Sequence, residues 1–394
     1  MELKLDPEKW RAIRGMARVL VALGADEGLT RYVGGAVRDE LLGLPVNDVD
    51  LATRLRPEEV IERLEKVRVK AVPTGIDHGT ITAVSDGHPI EVTTLRCDLS
   101  TDGRRATVAF TDDWEVDAAR RDFTINALSA DPRTGEIFDY FGGLDDLKSR
   151  HIRFIGDALQ RIAEDHLRIL RFFRFHARFG SGEPEAAALD ACTRRANDLM
   201  ALSWERIADE LLKLLMVSDP APTIAIMLQH NILRPVLPEI NRLPELKALI
   251  AAEHSACISP DALRRLSALL PRDGEIAADI GARLKLSNKA RKRLVCAAGT
   301  ELFSFPEALA YRVGIDCAVD RLLLAGSADT AAAIANWKSP RLPIGGGALI
   351  SRGLAEGPIV AKTLRRIEDQ WIKAGFPTGD EFERIVSQVL ATAS

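Results

Sequence analysis

The sequence predicts an α+β fold, with a small mixed sheet and its helices first and helices alone after it. Between Arg31 and about Ala130, short apolar runs such as RYVGG, DVDLAT, GTITAV, IEVTTLR and ATVAF are separated by Gly and Asp, the texture of short strands joined by turns. After about Arg150, β-branched clusters almost disappear, and segments such as ALQRIAEDHLRILRFFRFHARF and ERIADELLKLLMV carry apolar residues at helical spacing. A chain of 394 residues also exceeds what one continuous core organises, so several domains are expected.

The elements follow in order. Apolar positions from Trp10 to Val21 predict one opening helix over about 7–23, stopped by Gly24. The strand–turn–helix–strand VGGAVRDELLGLPVNDVDLAT spans Val33 to Thr53. A strand with Glu91 at its start and a helix through DFTINALSA close the first domain. The helices beyond are short and separated by prolines. The expected divisions are a mixed α/β domain over 1–150 and helical segments over 151–216, 217–280 and 281–394, the last two a body and a tail.

Composition narrows the classes. Hydrophobic residues at 46% and charged residues at 28% exclude global disorder, and 5% aromatics argue against stacking platforms along the whole length. With 53 Lys and Arg against 57 Asp and Glu, the net charge of −4 supplies no global field for a polyanion, so nucleic-acid binding requires a local patch. The stretch RLKLSNKARKR, with Lys289, Arg291, Lys292 and Arg293, is the candidate patch; a solvated helix face explains it equally well. Five scattered cysteines without a CxxC pair suggest a reducing cytoplasm, and no apolar run is long enough to suggest secretion or membrane insertion.

The densest chemistry lies in Val33–Thr53. Asp48 and Asp50 are two apart, which on a strand turns both carboxylates to one face. An isolated DxD is more often a pair of solvent-facing acids, but here the setting points elsewhere. Gly34 and Gly35 let backbone N–H groups approach phosphate oxygens, the helix behind them offers its positive end, and Arg38 adds a guanidinium. Converging carboxylates call for a hard cation, Mg²⁺ with Mn²⁺ as an alternative, shared with substrate phosphates. Glu91 is the candidate third carboxylate of a two-ion site. In ARRDFTINA, Arg121, Asp122 and Asn126 add polar groups, Asp122 doubling as a helix cap. On the helix EDHLRILRFFRF, Asp165, Arg168 and Arg171 form a polar stripe, either a surface ion pair or a reader of a nucleobase edge.

These residues resemble the class II tRNA nucleotidyltransferase and poly(A) polymerase family of the polymerase-β superfamily. GGAVRD with DVDLAT, ARRDFTINA, FDYFGGLDDLKSRHIRFIGD, EDHLRILRFFRF and SWERIADELLKLL are similar to its five motifs, over roughly Arg31 to Met216. The resemblance implies a polymerase-β-like head followed by helical neck, body and tail, and template-independent addition of CCA to the tRNA 3′ end from CTP and ATP with release of pyrophosphate. It implies that Asp48 and Asp50 bind Mg²⁺, that Gly35 and Arg38 hold the triphosphate, and that Arg121 and Asp122 contact the nucleotide. It further implies that Asp165 and Arg168 pair with the incoming base, with Arg171 and Arg174 as further nucleotide-side arginines. No protein partner is implied. TGIDHGTITAV resembles CCA-adding chains more than poly(A) polymerases, and the loop DLSTDGRRATVAFTDDWE favours full CCA addition over CC-only or A-only relatives; a bacterial poly(A) polymerase and those specialised enzymes are the alternatives. A catalytically dead scaffold would lack one of the paired acids, and both are present.

Overall fold

The computed structural model describes residues 4–102, 105–301 and 305–392. The chain divides into two compact units, Met1–Leu237 and Pro238–Ser394.

The first unit opens with two helices rather than one, α1 (Pro7–Arg11) and α2 (Met16–Ala22), because Gly15 takes a φ of 81° between them. A seven-stranded mixed sheet follows, built from β1 (Thr30–Val33), β2 (Asp50–Thr53), β3 (Lys70–Gly75), β4 (Thr80–Ser85), β5 (His88–Thr94), β8 (Ser129–Ala130) and β9 (Ile137–Phe138), in the order β3-β4-β5-β2-β1-β8-β9. Only β2 and β5 pair in parallel, with Leu51 opposite Val92. Alternation in β4 buries Ile81 and Ala83 on the face that meets α2 and α4 (Pro57–Lys66), their partners Val92 and Ile90 of β5 are buried beside them, and Glu91 belongs to the opposite face. Glu91 lies in the middle of its strand, not at its start.

Between the head's acids and its arginines, the expected loop DLSTDGRRATVAFTDDWE is mostly an antiparallel hairpin, β6 (Arg96–Asp102) with β7 (Arg105–Phe110); Gly103 and Arg104 of that stretch lie outside the described residues. The consecutive Thr107 and Val108, with Phe110, are residue types that favour extended pairing over a loop.

Helix α3 (Gly35–Leu41) follows the glycine turn, and α5 (Trp114–Ala119) precedes ARRDFTINA. The expected helix through DFTINALSA is a single 3-10 turn, Thr124–Asn126, that runs directly into β8. Its backbone is needed by the sheet, since Val33 pairs with Ser129. Helix α6 (Gly143–Ser149) closes the head.

The expected long helix of the fourth motif is two helices, α7 (Ala158–Glu164) and α8 (Arg168–Phe179), because Asp165 leaves helical backbone at φ −151°, ψ 107°. One face of α8 buries Ile169, Leu170, Phe172, Phe173 and Phe175, joined to Phe123 and Phe154 in a ring cluster with centroids 5.0–6.3 Å apart. Arginines at 168, 171, 174 and 178 occupy the other face at helical spacing. Helices α9 (Ala186–Arg194), α10 (Trp204–Leu215) and α11 (Ala221–Gln229) complete the unit, with α10 packed on α8.

The second unit is helical in all its described elements: α12 (Leu243–Ser255), α13 (Ala262–Leu269), α14 (Gly274–Arg283), α15 (Asn288–Ala298), α16 (Pro306–Val313), α17 (Ile315–Leu324), α18 (Ala328–Ala335), α19 (Gly346–Ser351), α20 (Pro358–Lys373) and α21 (Asp380–Ala391). Trp371, Ile367, Phe382 and Val386 centre one core. A buried ionic cluster ties α12, α13, α15 and α17: Arg264 bridges Glu253 and Asp320, Arg265 donates to Glu253, and Arg293 donates to Asp320 and Asp261. Of the candidate basic patch, Arg293 is partly buried with its guanidinium on two internal carboxylates, Lys289 and Lys292 are exposed, and Arg291 is half-buried. The cysteine reading is corrected: Cys296 of α15 and Cys317 of α17 form a disulfide, a pair separated by 21 positions that no local spacing reveals.

Candidate functional site

Pairing places the carboxylates. The parallel register sets Asp50, one residue before Leu51, beside Glu91, one residue before Val92, on the face away from α2 and α4. Asp48 lies two residues upstream, just before β2. Burial pushes the Asp50 carboxyl up to about 6, with the Glu91 and Asp48 charges adding to it and Arg121 opposing them. Like charges gathered this closely fit a divalent cation. Among the described residues, no group of three or more His, Cys, Asp or Glu is arranged to hold a metal ion.

The glycine turn sits against the same end of the sheet, since Val33 pairs with Asp50. Gly34 has φ 72° and ψ −132°, a backbone that glycine adopts and L side chains rarely do, and a Cβ there would also lie 2.9 Å from Arg121 Nη1.

Beside the turn, a cavity of about 490 Å³ is lined by Gly34, Gly35, Arg38, Arg121, Asp122, Asn126, Asp165, Arg168, Arg171 and Phe175. All but Phe175 are residues singled out in the sequence, and Arg171, Asp122, Asn126, Arg38 and Arg121 are linked in one polar chain. Arg171 donates from Nε (2.8 Å) and Nη2 (2.5 Å) to Asp122 Oδ2. Asp122 Oδ1 accepts from the Asn126 amide and the Phe123 N–H, both at 2.9 Å. Burial alone would raise the Asp122 carboxyl; Arg171 and these donors hold it below the ordinary range. Asn126 Oδ1 accepts from Arg38, which also donates to Asp39 at 2.8 Å and lies over the Phe175 and Phe179 rings. Arg121 donates to the Asn126 carbonyl and to buried Asp117, each at 3.4 Å. Burial pulls both Arg38 and Arg121 below the ordinary arginine value.

The expected Asp165–Arg168 ion pair does not form. Arg168 donates to Glu164 (2.5 Å) and to the Arg161 carbonyl (2.8 Å), whereas Asp165 accepts from Arg206 of α10 (2.8 and 3.1 Å). Ending α7 at Glu164 separates the two, yet both line the cavity. Arg174 is not among the cavity-lining residues; it donates at 2.5 Å to buried Glu210 of α10, whose other oxygen lies 3.8 Å from Arg171. Phe175, Glu164, Arg206, Glu210 and Asp117 escaped the sequence reading. The signal for Arg206 and Glu210 was present, since both fall in SWERIADELLKLL, but no spacing links that segment to Asp165 or Arg174.

Comparison with known proteins identifies the family and the fold. Residues 30–153 match the family model described as Poly A polymerase head domain, and residues 183–243 that described as Probable RNA and SrmB- binding site of polymerase A. CCA tRNA nucleotidyltransferase 1, mitochondrial, of Danio rerio is 34% identical over 378 residues, 91% of this chain and 87% of that protein. The Homo sapiens protein of the same name is 33% identical over 367 residues, 88% and 83% of the two chains. Among solved structures, that of the Bacillus stearothermophilus CCA-adding enzyme in complex with CTP superposes with a TM-score of 0.72 at 24% identity, covering 96% of this chain and 98% of that one, and so shares the fold. The Thermotoga maritima CCA-adding enzyme complexed with tRNA_CCA gives 0.71 at 22%, covering 100% of both chains. No helix among the described residues is long and apolar enough to cross a membrane. With relatives of this identity along nearly its whole length, the chain belongs to the CCA tRNA nucleotidyltransferase family.

Proposed function

We propose that this protein adds CCA to the 3′ end of tRNA from CTP and ATP, without a nucleic-acid template. The observation that carries this reading is the single cavity in which nine sequence-selected residues meet, flanked by the Asp48, Asp50 and Glu91 carboxylates.

In this reading the 3′-hydroxyl of tRNA attacks the α-phosphate and pyrophosphate leaves. Asp48 and Asp50, with Glu91, would hold two divalent ions, Mg²⁺ or Mn²⁺, which when bound lower the pKa of the hydroxyl and neutralise the pyrophosphate. The Gly34–Gly35 backbone, Arg38 and Arg121 receive the triphosphate, whose negative charge suits two guanidinium groups buried without full compensation. Asp122 and Asn126 form the ribose side, and Arg171, which lines the same cavity, orders Asp122. Asp165 accepts from the exocyclic amine of the base and Arg168 donates to its ring acceptors. Arg174 acts through Glu210.

Residues 1–150 supply the chemistry in this scheme, 151–216 the base reading, 217–280 the body and 281–394 the tail. Exposed Lys289 and Lys292, with Arg291, grip the tRNA backbone by charge. The cytoplasm is the proposed compartment.

The test is incorporation of labelled CTP and ATP into tRNAs lacking CCA, CA or A, by wild type and Asp50→Ala with Mg²⁺. Addition that halts at CCA, with Asp50→Ala inert, is the expected result. Long runs of A would instead identify a poly(A) polymerase, and a stop at CC or use of ATP alone a specialised enzyme.

A further inference from the structure

The segment SWERIADELLKLL enters the scheme just described only through Glu210, yet its one arginine grips a residue that lines the cavity. We propose that Arg206 is a specificity-determining positioning residue: by holding the Asp165 carboxylate from outside the cavity, it makes the site reject bases that carry oxygen where cytosine and adenine carry an amine. This inference rests on the functional reading above and deepens it.

Asp165 needs such a holder. It stands at the break between α7 and α8 with extended backbone, so no helix fixes its side chain, and its one local restraint is the Leu167 N–H donating to Oδ1 at 3.1 Å. Arg206 Nη2 donates to both carboxylate oxygens, at 2.8 and 3.1 Å. Asp165 lines the cavity and Arg206 does not, so the guanidinium approaches from the α10 side and leaves the carboxylate to the ligand. The two side chains are 24% and 26% exposed, so the pair sits at the wall of the cavity and not in the core.

The chemistry follows from lone pairs. An ionised carboxylate only accepts hydrogen bonds, and it has more acceptor sites than one guanidinium nitrogen fills. CTP and ATP present an amine, at N4 and N6; UTP and GTP present an oxygen, O4 and O6, at the corresponding place. A carboxylate held still repels that oxygen. One that swings away lets water or the base rearrange, and the repulsion is lost. Arg206 thus acts on the choice of nucleotide without touching it, and Asp48, Asp50 and the triphosphate arginines are not involved.

The experiment is single-turnover incorporation of CTP, ATP, UTP and GTP into tRNA lacking CCA by wild type, Arg206→Ala, Arg206→Lys, Asp165→Ala and the double Ala variant, with thermal melting of each. Expected is a CTP-over-UTP preference lowered about tenfold in Arg206→Ala, partial rescue by Arg206→Lys, and a double variant no less selective than Asp165→Ala alone, because both act through one carboxylate. A wild-type preference ratio in Arg206→Ala overturns the inference, even where its rate or melting temperature falls. So do additive selectivity losses in the double variant. If Arg206→Ala does not fold, Arg206→Lys decides, since unchanged selectivity in a folded Lys variant overturns the inference too. Wild type that adds no nucleotide to tRNA overturns the functional reading and this inference together, whereas CCA addition with unaltered selectivity in the variants overturns the inference alone.

Discussion

Arg171 and Asp122, 49 positions apart in the chain, meet with Nε 2.8 Å from Oδ2 and join the helix α8 to the ARRDFTINA turn. The contact buries a carboxylate whose charge depends on one guanidinium. Removing the partner of a buried charge costs about 3 kcal/mol, so Arg171→Ala is expected to lower stability by that order at neutral pH. The Asp122 carboxyl is held below its ordinary value of 3.8, so its contribution is present above that value and is lost as pH falls through the lower folded-state one. Urea denaturation between pH 3 and 7 should show a steeper acid loss in wild type than in Arg171→Ala.

Asp50 has the opposite sign. Its carboxyl is raised to about 6, so in the metal-free protein the protonated form is favoured by the fold, and that stability is lost as pH rises through 6. A divalent ion competes with this proton. Mg²⁺ should therefore raise the melting temperature of wild type at pH 7.5 and much less at pH 5, and should do neither in Asp50→Asn. A Mg²⁺ shift in Asp50→Asn as large as wild type's would contradict the placement of the metal.

Glu210 is buried against Arg174 and near Arg171. Glu210→Gln keeps the shape and removes the charge, and CTP and ATP affinities are both expected to fall about tenfold, with the choice between them unaltered. Isothermal titration with each nucleotide distinguishes this uniform loss from the selective one assigned to Arg206.

In the second unit, the Cys296–Cys317 link closes a loop of 21 positions. Closing a loop of that length stabilises by about 3 kcal/mol in the chain-entropy account, so Cys296→Ser should lower the denaturation midpoint by a corresponding amount, and a reducing agent should do the same to wild type and nothing to the variant.

Basic residues on α15 separate by role. Arg293→Ala, which breaks contacts to Asp320 and Asp261, should destabilise the protein. Lys289→Ala with Lys292→Ala should leave the melting temperature in place and flatten the salt dependence of tRNA binding by about two counterions. Filter binding across salt concentrations reads this directly.

Local pattern made the strands, the glycine turn and nearly the whole cavity lining legible. Gly34, Gly35 and Arg38 could be read because they share one turn and the helix behind it, whereas Asp48 stands before β2 and not on the strand that its spacing from Asp50 suggested. What escaped depends on tertiary partners. Asp165 and Arg168 looked like a helical pair because nothing local shows that α7 ends at Glu164, and their actual partners, Arg206 and Glu164, divide them. The DFTINALSA helix failed because strand pairing with Val33 outweighed helical propensity. Arg293 looked like surface charge because its two carboxylates come from α17 and the start of α13.

The regular spacing of the α8 arginines makes chain length itself a constraint. One residue inserted between Arg168 and Arg171 would rotate everything beyond it by about 100°, carrying Arg171 off Asp122, Arg174 off Glu210 and the phenylalanines out of their cluster. The same insertion at the far end of the β6–β7 hairpin, beyond the paired Asp102 and Arg105, displaces no residue that lines the cavity. The protein can therefore lengthen or shorten on one side of its site and has no such freedom on the other.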